Sequence, residues 1–178
     1  MKFTPNDYSG WSQNSSWLPD TLVSETRIAE KLRPLVTDRG SLTRALKAID
    51  DASFAVNVLS EKISRAYPHE QIKLHRDPQD DVLIREVELF VHAKAVVYAR
   101  SIIPLSLLQD DTSGLVGLGS TPLGQLLFTD GNIRVSKREY LFFEHNNRQQ
   151  VARRTPYDYR TNTILVSEFF LPAIYDIV

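Results

Sequence analysis

The chain contains no cysteine, so it has no disulfide framework, no thiolate nucleophile and no cysteine-based metal site. It has a single methionine, and no apolar run reaches the length of a membrane span. Its opening stretch, MKFTPNDYSGWSQNSSW, lacks an apolar signal core, and the expectation is a soluble, cytoplasmic protein. Neither charge sign dominates: 21 Lys+Arg against 22 Asp+Glu give a formal net charge of −1. A dedicated nucleic-acid binder needs a basic excess, so no nucleic-acid partner is expected. The four histidines, His69, His75, His92 and His145, show no metal-ligand spacing, and no metal site is expected.

What is present fits one globular domain. With 178 residues and 42% hydrophobic content, the chain can bury a real core. Residues 1–18 are polar and read as a loosely held arm, with the domain over 19–178. Leu22, Ile28, Leu32 and Val36 recur at near-helical spacing over 20–36, with Pro34 ending or kinking that helix. A second helix is predicted over 41–49, with Ser41 as its N-cap.

From residue 53 the apolar period changes to two. Strands are predicted over 54–67, 82–91, 95–104, 133–143, 150–159 and 163–171, with a polar connection over 68–81. A tight turn at Ala93-Lys94 makes 82–104 an antiparallel hairpin. The glycine-rich segment 107–128 leads into a short helix at Pro122–Phe128, capped by Thr121. No Gly-Lys-Ser/Thr follows its glycines, so it reads as a covering loop, not a phosphate loop. The fold class is α+β, an antiparallel sheet of five or six strands with helices on one side.

Three charges fall where a sheet core belongs. Alternation places Arg85 with Leu83, Val87, Leu89 and Val91, Arg100 with Val96, Tyr98 and Ile102, and Glu168 with Ile164, Val166 and Phe170. A buried, unpaired charge costs several kcal/mol, so such groups are paired or put to use. With the turn at Ala93-Lys94, Arg85 faces Ile102 and Arg100 faces Val87, on one apolar face within reach of a shared dicarboxylate. Glu168 could equally be the counter-ion of one arginine. The cluster Arg148, Arg153, Arg154 and Arg160 reads as a solvated face, able to steer anions.

Over roughly residues 41–175 the chain resembles the chorismate lyases. The stretches that carry this are 84-IREVELF-90, 99-ARSIIP-104, 121-TPLGQLLF-128, Arg153-Arg154 and 164-ILVSEFFLP-172, in that order. The resemblance implies a mainly antiparallel sheet with helical flaps over an enclosed site. It also implies the cofactor-free conversion of chorismate to 4-hydroxybenzoate and pyruvate, at the entry to ubiquinone synthesis; an enclosed pocket with charge-assisted bonds then predicts product inhibition. Leu42, Arg85, Leu123 and Glu168 take the product-holding positions, and the Arg100 position is also associated with the site. Catalysis would fall to Glu168 and Arg85. The family often has Met where this chain has Leu42, and Gly where it has Ala99. A monomer is expected. A non-catalytic small-molecule-binding domain of the same fold, as in some transcription regulators, is the alternative.

Overall fold

The period-two segments build a single antiparallel sheet. The computed structural model describes residues 5–14, 16–109, 115, 117–129, 131, 133–145 and 147–178. Its strands are β1 (Leu18–Pro19), β2 (Ala55–Arg65), β3 (Asp81–Val91), β4 (Lys94–Pro104), β5 (Ile133–Val135), β6 (Glu139–His145), β7 (Arg148–Tyr159) and β8 (Asn162–Phe170). They are ordered β1-β6-β7-β8-β4-β3-β2, and β5 pairs with β7. The α+β class stands, with eight strands in place of five or six. The additional ones arise because 133–143 is interrupted at residues 136–138 and because Leu18–Pro19 pairs with β6.

The β3–β4 hairpin decides where the charges point. Its two-residue turn is His92-Ala93, both at positive φ (51° and 58°), one residue earlier than Ala93-Lys94. Positive φ at both central positions matches a type I′ turn, whose twist suits a tight hairpin. The register then shifts between Leu89 and Phe90, leaving Val96 unpaired as a bulge. Arg85 therefore opposes Ser101, and Arg100 opposes Glu86. A one-residue slip moves a strand's side chains to the other face. Arg85 and Arg100 thus lie on opposite faces of the sheet, which corrects the shared face expected from sequence.

Helices cover both faces. The α3 helix (Leu42–Ile49), capped by Ser41 accepting from the Arg44 N–H, packs Leu42 and Leu46 against Val87, Leu89, Val97 and Ala99. On the same face α5 (Leu123–Thr129) packs Leu123 and Leu127 against Leu83, Ile103 and Ile164. The opposite face, which carries Glu86 and Glu88, is buried too. There α1 (Pro5–Asn14) docks Tyr8 and Trp11 onto Tyr98, Phe143 and Phe169, in place of a loose arm. Beside it, α4 (Pro68–Lys73) occupies part of the expected polar connection.

Residues 20–36 do not form one helix. Three 3-10 turns, at Asp20–Leu22, Glu25–Arg27 and Glu30–Leu32, precede α2 (Arg33–Thr37). Pro34 lies in the first turn of α2, where its missing N–H costs nothing. Within a longer helix the same residue would remove the bond to residue 30. Leu22 is 70% exposed, so the apolar stripe does not extend that far.

Candidate active site

A cavity of about 50 Å³ lies between the sheet and its α3/α5 cover. Its floor is made by Arg85, Val87 and Leu89 of β3, Ala99 and Ser101 of β4, and Val166 and Glu168 of β8. The registers Arg85↔Ser101↔Val166 and Val87↔Ala99↔Glu168 set Arg85 and Glu168 on one face, two strands and two residues apart. Standard strand spacings make that a Cα separation of roughly 12 Å. Apolar walls run between a cation and a carboxylate.

Arg85 is 2% exposed and bonds through its terminal nitrogens. Nη1 donates to Glu61 Oε2 at 2.7 Å, and Nη2 to the carbonyls of Gly119 at 2.7 Å and Thr121 at 3.2 Å. Gly119 sits at φ +50°, a left-handed conformation that favours glycine, and it turns its carbonyl onto Arg85. The segment entering α5 is thereby latched to the floor by the same guanidinium that faces the cavity.

Glu168, 7% exposed, is the counter-ion of neither Arg85 nor Arg100 but of Arg153, its cross-strand neighbour on β7. Arg153 Nε donates to Glu168 Oε2 at 2.5 Å, and Nη1 donates to the carbonyls of Leu35, Val36 and Asp38. Burial alone would pull the Arg153 pKa down, but the Glu168 carboxylate more than offsets it, and the net direction is up. The guanidinium stays charged and ties Glu168 to the segment leading into α3. Arg153 and Arg154 are both buried, which corrects their reading as a solvated face; Arg148 and Arg160 are exposed. Arg154 serves the far face, where it bonds Glu139 Oε2 at 2.6 Å and His69 Nδ1 at 3.1 Å.

Leu42 and Leu123 open α3 and α5, and both line the cavity. First-turn N–H groups have no partner within their own helix and suit an anionic oxygen. The two helix starts approach closely at Gly124, where a Cβ would meet Thr43 Oγ1 at 3.4 Å and Ser41 Oγ at 3.5 Å.

The structure thus gathers Leu42, Arg85, Leu123 and Glu168 around one cavity and leaves Arg100 out. Arg100 lies on the far face in a bidentate pair with Glu70, at 2.9 and 3.1 Å, and donates to Glu86 at 2.9 Å. Sequence reading missed Thr43, Phe128 and Tyr157, which also line the cavity. The alternation Arg153, Thr155, Tyr157 was the signal available for the last of these.

The chorismate lyase family model matches residues 11–178. The chain belongs to the chorismate lyase family. A relative from Methylococcus capsulatus carrying the name "Probable chorismate pyruvate-lyase" is 34% identical over 151 residues, covering 78% of this chain and 93% of that one. Another of the same name, from Psychromonas ingrahamii, is 31% identical over 176 residues, covering 91% and 92%. Among solved structures, a GntR-family transcriptional regulator from Bacillus cereus superposes with a TM-score of 0.51 at 10% identity, covering 68% of this chain and 93% of that chain. At that identity the likeness shows the fold alone. In this chorismate lyase family member, Arg85 and Glu168 fall within the matched stretch, as does the whole α3/α5 cover.

Proposed function

We propose that the chain is a chorismate pyruvate-lyase that forms 4-hydroxybenzoate and pyruvate without a cofactor, in the cytoplasm, as the first step of ubiquinone biosynthesis. The observation that carries this reading is a cavity that Arg85 and Glu168 share on one sheet face, with apolar walls between them. A six-membered ring with a carboxylate at one end and an oxygen at the other matches that polarity.

In this reading Arg85 binds the ring carboxylate through charge-assisted hydrogen bonds. The first-turn N–H groups of α3 that Ser41 does not cap supply neutral donors for carboxylate oxygens. Glu168 accepts the hydrogen bond of the C4 hydroxyl, oriented by Arg153. The C3–O bond breaks with its electron pair passing to the enolpyruvyl oxygen, and C4 loses its hydrogen as the ring becomes aromatic. The enolpyruvyl methylene gains one hydrogen and becomes the methyl group of pyruvate. Atoms and electrons balance within the substrate, so no external oxidant is needed. Catalysis consists of orientation and electrostatic complementarity.

The site is tight as well as covered. An engineered cavity of about 150 Å³ holds benzene, roughly three times the volume here, so the cavity must widen to admit a ligand. Slow release and inhibition by 4-hydroxybenzoate follow. Progress curves on chorismate, with and without added 4-hydroxybenzoate, test both points. Conversion slowed by the added product is expected. Binding of 4-hydroxybenzoate without conversion of chorismate would contradict the lyase reading.

A further inference from the structure

The cavity contains an ionisable group that the mechanism above does not use, the phenol of Tyr157 on β7. Strand alternation puts Arg153, Thr155 and Tyr157 in succession on the cavity face, opposite Glu168, Val166 and Ile164 of β8. Tyr157 is buried, and Phe128 of α5 meets its ring edge-on with centroids 5.9 Å apart. The ring is therefore held between the sheet and the cover.

Buried Arg138 donates Nε–H to Thr155 Oγ1 at 2.9 Å, two residues before Tyr157 on the same face. The phenol of Tyr157 brings an O–H donor to the cavity lining. Burial pushes its pKa up, and the nearby Glu168 carboxylate pushes it further, so the phenol keeps its proton.

Glu168, its carboxylate engaged by the Arg153 N–H, meets a ligand as a hydrogen-bond acceptor. A ligand hydroxyl that gives its hydrogen to Glu168 still presents two lone pairs in mainly apolar surroundings, and a buried acceptor without a donor is costly. Tyr157 can meet that need from within the same cavity.

We propose that Tyr157 is a ligand-binding residue of this site, donating its phenolic O–H to the ring oxygen whose own hydrogen goes to Glu168. The inference rests on the 4-hydroxybenzoate reading and adds a specificity element to it. Part of the preference for an oxygenated ring over an unsubstituted one belongs to Tyr157, and the rest to Glu168.

Tyr157→Phe removes one oxygen and keeps the ring and its contact with Phe128. Binding of 4-hydroxybenzoate and of benzoate is measured by calorimetry for both proteins, alongside chorismate turnover by the wild type. The expected result is a loss of about three- to tenfold in affinity for 4-hydroxybenzoate with benzoate affinity unchanged. Equal losses for both acids would mean a packing role and overturn the proposal, as would unchanged 4-hydroxybenzoate affinity. If the wild type neither binds 4-hydroxybenzoate nor turns over chorismate, the underlying reading falls and this inference with it. Normal wild-type behaviour beside an indistinguishable variant removes Tyr157 alone.

Discussion

At the scale of single residues, Glu168 shows how a carboxylate is kept buried beside a cavity. Arg153 balances its charge through Nε while three main-chain carbonyls hold the other end of the guanidinium. Glu168→Gln preserves shape but removes the charge that accepts the C4 hydroxyl, and a fall in turnover of about 10- to 100-fold is expected. Steady-state rates with circular dichroism as the folding control check this; near-normal turnover in a folded variant would contradict the Glu168 assignment. Arg85 and Glu168 were legible because a charge inside an alternating apolar strand stands out. Arg153 was not, because adjacent arginines resemble a surface cluster. Alternation sends Arg153 and Arg154 to opposite faces, and only the helices on both faces make each of them buried.

At the scale of elements, Arg100 fastens α1 and α4 to the sheet. Its partner Glu70, on α4, also accepts from the Tyr8 hydroxyl of α1 at 2.5 Å and from the Tyr67 N–H at 2.9 Å. Glu86, its cross-strand neighbour, accepts from Tyr98 at 2.6 Å. The two carboxylates hold the Arg100 pKa up, against the burial that lowers it. Arg100→Met leaves Glu70 and Glu86 buried without their cation, and a loss of about 3–5 kcal/mol in unfolding free energy is expected. Affinity for 4-hydroxybenzoate should change little, since the cavity lies on the other face. Denaturant melts and ligand titration test the pair of outcomes; intact stability with lost binding would contradict this placement. The strands themselves were readable from period two, and so was α3 from its spacing and its Ser41 cap. The register was not, because the Val96 bulge leaves no mark in composition yet reverses the face on which Arg100 lies. The 20–36 stripe misled because Pro34 opens α2 instead of ending a helix, and the apolar residues before it fall along successive 3-10 turns.

At the scale of the whole molecule, buried phenols on both faces tie stability to alkaline pH. Tyr8, Tyr98 and Tyr157 all have pKa values raised from the ordinary 10.0, chiefly by burial and then by neighbouring carboxylates. A folded-state pKa above the unfolded value contributes stability that is fully present below pH 10. Above that value the unfolded chain releases protons that the folded chain keeps, so stability falls as pH rises. Urea midpoints are expected to be flat approaching pH 10 from below and to drop beyond it, with Tyr98→Phe shallowing the decline. A midpoint insensitive to pH above 10 would contradict the buried-phenol account.

Chorismate is proposed to react in the cavity between Arg85 and Glu168. One progress curve on chorismate, with 4-hydroxybenzoate and pyruvate quantified together, for the wild type and Arg85→Ala side by side, checks this. Equal amounts of both products are expected from the wild type, with a severe loss of rate and of 4-hydroxybenzoate affinity in the variant. Unequal products, or a folded Arg85→Ala protein as active as the wild type, would contradict it.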